Sequence, residues 1–87
     1  MKMNREELTD YVLDFWLNWG VPEYDGTYES LYDEIYYNLN SRKGIESELD
    51  IVRMEFENGW DENSLEYKNL TDLWDNLNYY KSNFKEE

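Results

Sequence analysis

The feature that most constrains the fold is an apolar spacing that occurs twice in the first half of the chain. In residues 4–19 the large apolar side chains follow the spacing i, i+3, i+4, i+7, i+8 and i+11, and residues 28–39 repeat it. This spacing lines one face of an α-helix. The positions are Leu8, Tyr11, Val12, Phe15, Trp16 and Trp19 in the first segment and Tyr28, Leu31, Tyr32, Ile35, Tyr36 and Leu39 in the second. We therefore predict two amphipathic helices that meet one core.

The ends of these two helices carry recognisable signals. Asn4 and Glu7 have the spacing of a capping box, which predicts the start of the first helix. Gly20 and Pro22 predict its end, because a glycine favours the terminal turn and a proline cannot continue the helix. Thr27 is the predicted N-cap of the second helix.

The third segment, residues 45–57, fits two patterns. Ile45, Leu49, Val52 and Phe56 have helical spacing, but Val52, Met54 and Phe56 also alternate with charged residues, as in a half-exposed strand. A strand over residues 49–57 would have no second strand-like run to pair with, which favours the helix. Asn58-Gly59 predicts the end of this segment.

A fourth helix is predicted from about Ser64 to Ser82. Its apolar face consists of Leu70, Leu73, Trp74, Leu77, Tyr80 and Phe84. With 87 residues the chain has the length of one small domain. We predict an all-α fold, a compact bundle of three to four short helices in a single acidic domain over residues 1–87; an α+β fold with residues 49–57 as a strand is the alternative.

The charge balance is the most unusual property of the composition. There are 21 Asp and Glu against 8 Lys and Arg, a formal net charge of −13. Such a charge keeps a protein soluble, but it also repels itself in the compact state. We interpret it as a surface for a basic partner. The same charge disfavours direct binding to nucleic acid or to an anionic membrane.

The sequence lacks the residues on which most catalysis depends. It has no histidine and no cysteine, so the commonest general base and the usual ligands of zinc are missing. Its glycines are isolated and form no phosphate-binding loop. We expect no enzymatic activity, no cofactor and no metal site.

Two further expectations concern location and assembly. The first ten residues contain no apolar run, and no apolar stretch is long enough to cross a membrane. We expect a cytoplasmic protein of the host cell that does not bind membranes. The surplus of aromatic residues is compatible with a monomer or a homodimer.

Carboxylates recur at intervals of one helical turn. Glu6, Asp10 and Asp14 form one row, and Glu29 and Asp33 form another. Side chains at i and i+4 are about 6 Å apart along a helix axis, close to the spacing of about 7 Å between phosphates along one strand of DNA. Any acidic surface helix produces such rows, but they also predict a surface that imitates the DNA backbone.

Aromatic residues outside the apolar faces are candidates for contact with a partner. Tyr24, Tyr37, Tyr67 and Tyr79 lie off the main faces and are expected to be partly exposed. Exposed aromatic side chains beside carboxylates are typical of interfaces, in which the rings anchor the partner and the charges steer it.

The stretch "EFENGWDEN", residues 55–63, combines these features in one turn. Trp60 follows Asn58-Gly59 and precedes Asp61 and Glu62. We expect Trp60 to pack back into the core, which would hold the two carboxylates on a rigid corner.

Two local resemblances point the same way. The segment "IESELDIVRMEFENGWDENSLE" resembles part of a type II-A anti-CRISPR protein, which has Phe, one residue, then Asn-Gly-Trp and an acidic segment that helps to occupy the PAM-binding site of the nuclease. The resemblance implies this role for Asp61, Glu62 and Glu66. That family begins with a helix that leads into strands, whereas the present sequence is predicted to be helical.

The second resemblance involves "VPEYDGTYESLYDEI", which is similar to the inhibitory helix region of barstar-like ribonuclease inhibitors. It implies that Asp25, Glu29 and Asp33 contact a nuclease. The flanking strands of that fold are not evident in this sequence.

These observations lead to one functional hypothesis and one alternative. The hypothesis is a phage-encoded inhibitor of a host defence nuclease, most specifically an anti-CRISPR protein that blocks the PAM-binding groove of a type II effector by DNA mimicry. The alternative is an acidic protein-interaction module, such as an antitoxin, an immunity protein or an inhibitor of a restriction or repair enzyme. The candidate partner-binding residues are Asp10, Asp14, Asp25, Glu29, Asp33, Asp61, Glu62 and Glu66.

Overall fold

Four α-helices form the regular structure of residues 3–19 and 28–85, the ranges that the computed structural model describes. They are α1 (Arg5–Trp19), α2 (Tyr28–Asn38), α3 (Arg42–Glu57) and α4 (Leu65–Asn83). Each helix packs against the next one along the chain, and α4 returns to pack against α1. These described ranges contain no strand. The prediction of an all-α helical bundle is confirmed.

The core is built from the predicted apolar faces. Its buried members include Leu8, Val12, Phe15 and Trp16 of α1, Leu31 and Ile35 of α2, Leu39 just beyond α2, Ile45, Leu49 and Val52 of α3, and Leu70, Leu73 and Leu77 of α4. Leu13 is fully buried although it lies outside the predicted face. It is buried because α1 packs against both α2 and α4, so its buried face is wider than a single stripe.

Residues 49–57 are helical, and the alternative of a strand is wrong. Val52 is buried, whereas Met54, two positions later, is 62% exposed, so the side chains do not alternate as they would in a strand facing the core. The helix begins at Arg42, three residues before the predicted 45, because the Ser41 Oγ accepts a hydrogen bond from the Gly44 N–H at 3.0 Å. A helix satisfies its own backbone groups and needs no partner strand.

Gly44 lies at the closest approach of α2 and α3. It is buried in the first turn of α3, and a Cβ atom built on it would overlap the Asn38 carbonyl oxygen and lie 2.7 Å from the carbonyl carbon of the same residue. Only glycine fits here without a backbone shift, because the obstructing atoms belong to the main chain.

The predicted helix caps are present where the structure describes them. The Glu7 N–H donates to Asn4 Oδ1 at 2.8 Å, and the Asn4 N–H donates to Glu7 Oε1 at 3.2 Å, which confirms the capping box. Asn58 ends α3 and Gly59 follows with φ of +83°, a conformation that favours glycine. Predictions for Gly20, Pro22, Thr27 and the side chains of Trp19 and Tyr28 lie outside the described residues.

One carboxylate is buried between α2 and α3. Glu48 is 4% exposed, and its Oε1 accepts a hydrogen bond from Asn38 Nδ2 at 3.1 Å. Burial raises the pKa of Glu48 above 4.5, the hydrogen bond from Asn38 opposes this rise, and the nearby charge of Glu34 adds to it. This group therefore differs from the exposed carboxylates that dominate the surface.

Candidate partner-binding surfaces

The first candidate surface combines carboxylates from α1 and α2, and we name it the α1–α2 face. It consists of Glu6, Asp10, Asp14, Glu29 and Asp33, all of which are exposed. The contacts between them show that the two helices run antiparallel. Arg5, near the start of α1, contacts Tyr36, near the end of α2, and the charge of Asp10, one turn later in α1, acts on Tyr32, one turn earlier in α2. Asp14 and Glu29 consequently continue the same face by one further turn of each helix.

Tyr32 is the point at which the charges of the two helices meet. Its side chain is half-buried. Burial raises the pKa of Tyr32 above 10.0, and the negative charges of Asp10, Glu6 and Asp33 raise it further. Its ring stacks on that of Tyr36, with 6.0 Å between the ring centroids and 13° between the planes. Two predicted rows of carboxylates thus form one surface around a pair of tyrosines.

Arg5 supports this surface without neutralising its carboxylates. The Arg5 Nε donates a hydrogen bond to the Tyr36 carbonyl oxygen at 2.7 Å, and the guanidinium carbon lies 3.6 Å from the centroid of the Tyr36 ring. Within residues 3–19 and 28–85 the ion pairs join Arg53 to Asp50 and Lys81 to Glu46, and neither involves the α1–α2 face. Among the described residues, the carboxylates of this face therefore have no ion-pair partner.

The second candidate surface surrounds the turn between α3 and α4, and we name it the α3–α4 corner. It consists of Glu55, Trp60, Asp61, Glu62 and Glu66. Among these carboxylates Asp61 and Glu62 are exposed, whereas Glu55 and Glu66 are half-buried.

Local hydrogen bonds hold the turn of this corner. Asp61 Oδ1 accepts a hydrogen bond from the Asn63 N–H at 2.8 Å, and the Asp61 carbonyl oxygen accepts one from Ser64 Oγ at 2.6 Å. Ser64 in turn caps α4, because its Oγ accepts from the Tyr67 N–H at 3.1 Å. These bonds orient the Asp61 carboxylate, as expected for a rigid corner.

Trp60 is not part of the core, and the prediction that it packs there is wrong. Its side chain is 40% exposed, and it borders a small cavity together with Phe15, Trp16 and Leu70. The space between α3 and α4 is already filled by Phe56, whose ring packs edge-on against Tyr67 at 5.4 Å and Trp74 at 6.2 Å. With that position occupied, Trp60 covers the rim of the core.

A third group of polar residues was missed in the sequence. Asp72 and Asp75 of α4 line a groove with Tyr11, Asn76 and Tyr79. Burial raises the pKa of Tyr11, the charge of Asp72 raises it further, and a hydrogen bond with Asn76 lowers it. The predicted rows have the spacing i and i+4, whereas Asp72 and Asp75 are three positions apart on α4.

The remaining predicted contact residues have different surroundings. Tyr37 and Tyr79 are 77% and 47% exposed, as expected for residues off the apolar faces. Tyr67 is half-buried against Phe56. Tyr24 and Asp25 lie outside the described residues.

In the ranges 3–19 and 28–85, no three Asp or Glu side chains come together in a way that could hold a metal ion. None of the described helices has both the length and the apolar character needed to cross a bilayer.

Comparisons with known proteins identify no relative of this chain. No protein-family model matches the chain, and no curated protein or solved structure is detectably similar to it. The two surfaces are therefore interpreted from their own residues.

Proposed function

We propose that this protein is an acidic inhibitor that binds a basic, nucleic-acid-binding protein and competes with nucleic acid for its groove. The observation that carries the proposal is the exposure of Glu6 and Asp10 on α1 and of Asp33 on α2, two helices that pack together, with all three charges acting on Tyr32. The carboxylates of this surface form no ion pair with described residues. Such a surface offers a basic groove the same kind of charge as a phosphate backbone.

The net charge determines how such an inhibitor would act. With a formal charge of −13, the protein attracts a basic partner over a distance of about one Debye length, which is about 8 Å at physiological salt. Attraction of this kind speeds association and weakens as salt is added. Inhibition requires only occupancy of the groove, so we propose no enzymatic step and no cofactor.

A host defence nuclease is the partner class that we propose, with a phage as the source of the inhibitor. The resemblance around Asn58-Gly59-Trp60 makes a type II CRISPR effector the first candidate. Such effectors read the PAM with arginines, and carboxylates bind arginine through two parallel hydrogen bonds. Asp61 and Glu62 are the residues that we assign to this contact; Glu66, the third residue that the resemblance implies, is half-buried beside them.

A cleavage and duplex-binding assay with purified effectors tests the proposal. We expect the protein to reduce PAM-duplex binding, and the inhibition to weaken between about 50 and 200 mM salt, a range over which phosphate contacts lose most of their strength. Unchanged cleavage at saturating protein rejects the proposal for that effector. A set of restriction, repair and ribonuclease enzymes extends the test to other nucleases.

An interaction module that does not imitate nucleic acid is the second candidate, for example an antitoxin or an immunity protein. The exposed rings of Tyr37 and Tyr79 favour it, because aromatic side chains often anchor protein interfaces. Binding through such contacts depends little on salt. Affinity for an identified partner that hardly changes with ionic strength therefore supports this candidate over mimicry.

A further inference from the structure

We propose that the cavity beside Trp60 is a socket for the ammonium group of a lysine of the basic partner. The identity of that partner rests on the proposed function, but the socket itself rests on the structure of the α3–α4 corner. The cavity is lined by Phe15, Trp16, Glu55, Trp60, Glu66 and Leu70, so it joins residues from α1, α3, α4 and the turn.

The lining divides into an apolar floor and a charged rim. Phe15, Trp16 and Leu70 are buried, and the rings of Phe15 and Trp16 meet edge to face with 5.0 Å between their centroids. Glu55 and Glu66 are half-buried, and Trp60 is the most exposed of the lining side chains. A lysine suits this arrangement, because its methylene stem can pack on the exposed indole of Trp60 while its ammonium group binds the carboxylates at the rim.

The charge of the rim is not balanced from within the described structure. The described ion pairs involve neither Glu55 nor Glu66. Glu55 Oε2 accepts one hydrogen bond, from Asn58 Nδ2 at 3.2 Å. Carboxylates at the edge of an apolar cavity lose part of their hydration, so a cation placed between them gains more than it would on an open surface. The adjacent indole adds attraction for a cation that lies over its face.

The size of the cavity distinguishes lysine from arginine. Its volume is 20 Å³, enough for about one water-sized group. An ammonium group is compact and has this size, whereas a guanidinium group is planar and wider. Arginine is therefore the better partner for the open carboxylates Asp61 and Glu62, and lysine is the better partner for the socket.

Nuclear magnetic resonance of the full chain tests the socket directly. The indole N–H signal of Trp60 can be identified by its loss in the Trp60→Phe variant. Three blocked tripeptides serve as probes, Gly-Lys-Gly, Gly-Arg-Gly and the same lysine peptide acetylated on its side chain, all at physiological salt. We expect a saturable shift of the Trp60 signal with the lysine peptide, binding about tenfold weaker with the arginine peptide, and no saturable shift with the acetylated one.

A pair of variants with equal charge provides the control. Glu55→Gln/Glu66→Gln removes both carboxylates of the rim, whereas Glu34→Gln/Glu57→Gln removes two exposed carboxylates that do not line the cavity. We expect the first variant to lose binding of the lysine peptide by about tenfold and the second to change it by less than about twofold. Circular dichroism confirms that both variants remain folded.

The outcomes separate this inference from the proposed function. Equal shifts with all three peptides, or unchanged binding by Glu55→Gln/Glu66→Gln, overturn the socket even if a nuclease is inhibited. Selective binding of the lysine peptide supports the socket even if no nuclease is inhibited, and in that case only the proposed function fails.

Discussion

The α1–α2 face and the α3–α4 corner use the same residue type in different ways. On the α1–α2 face, carboxylates stand on regular helices and are exposed around Tyr32 and Tyr36. At the α3–α4 corner, carboxylates stand on a hydrogen-bonded turn and on the rim of a cavity beside Trp60. Spread, exposed charge steers a partner at long range, whereas charge beside an aromatic ring in a shaped cavity anchors it at contact. We infer that the two surfaces divide these tasks.

The largest expected effect is on stability, and it distinguishes the two tryptophans that line the cavity, Trp16 and Trp60. Trp16→Ala removes a buried ring from the core and is expected to lower the free energy of unfolding by about 3–5 kcal/mol. Trp60→Ala removes a ring that is 40% exposed, and we expect a loss of only about 1 kcal/mol. Urea unfolding of both variants measures the difference. Equal losses would show that Trp60 is a core residue, and the separation of corner from core would then be wrong.

A glycine substitution tests the close contact between the end of α2 and the first turn of α3, which connects the two halves of the bundle. Gly44→Ala is expected to destabilise the protein by about 1–3 kcal/mol, because its Cβ would overlap the main chain of Asn38. Gly59→Ala is the comparison variant. It meets open space but has a positive φ, so a loss of about 1 kcal/mol is expected from backbone strain alone. Thermal unfolding measures both, and a greater loss from Gly59→Ala would contradict the close packing of α2 on α3.

The corner carboxylates are expected to affect how long a partner stays bound. Asp61→Asn/Glu62→Gln should raise the dissociation rate from an inhibited nuclease by about tenfold, because contacts at short range act mainly on dissociation. Folding should be nearly unchanged, since Asn at position 61 retains an oxygen that can accept the bond from Asn63. Surface plasmon resonance measures the rates. An unchanged dissociation rate would show that the carboxylates of the α3–α4 corner have no role in binding.

The face carboxylates are expected to affect how fast the partner binds. Asp10→Asn/Asp33→Asn should lower the association rate by about threefold at low salt and by less at high salt, because long-range attraction is screened. Glu46→Gln/Asp50→Asn on α3 removes the same charge elsewhere and is the matched control. If both variants slow association equally, net charge alone steers the partner, and the α1–α2 face has no special position.

The smallest effect concerns Glu48, which belongs to neither surface. Its pKa is raised in the folded protein, chiefly by burial, so the folded state binds the proton more tightly than the unfolded state. This group therefore lowers stability as the pH rises from its unfolded pKa through its folded pKa, and the loss persists above that range. Glu48→Gln should be more stable than the parent at pH 7, and the difference should disappear at low pH.

Unfolding measured from pH 3 to pH 8 tests this sign. Glu57→Gln, an exposed substitution with the same change of charge, controls for the general relief of repulsion. A gain from Glu48→Gln that does not depend on pH would contradict the assignment of the effect to a buried, titrating carboxylate.

Features that depend on nearby residues were predictable from the sequence. The capping box of Asn4 and Glu7, the end of α3 at Asn58-Gly59 and the cap of α4 at Ser64 all rest on bonds between residues a few positions apart. The helical period likewise identified most of the core, because apolar residues repeated with this period lie on one face of a helix, and that face is buried. A strand over residues 49–57 was an alternative only because Val52, Met54 and Phe56 alternate with charged residues, as they would in a strand.

Features that depend on packing between helices were not predictable. A single helix pattern does not reveal how far the helix is rotated against its neighbours or what already fills the space beside it. Only the tertiary structure brings Asp10 of α1 and Asp33 of α2 near the same tyrosine, Tyr32, and only it leaves Trp60 partly exposed at the edge of the core. The same applies to Glu55, a charged residue on the outer side of the predicted helix that lines the same cavity as Glu66.

The sequence by itself thus determined an all-α bundle of three to four helices, several of the caps and an acidic surface, because periodicity, capping and charge are local or additive properties. The tertiary structure alone decided which carboxylates share a surface and which tryptophan is buried. Those outcomes depend on competition between side chains for the same space, and the competitors are distant in the chain.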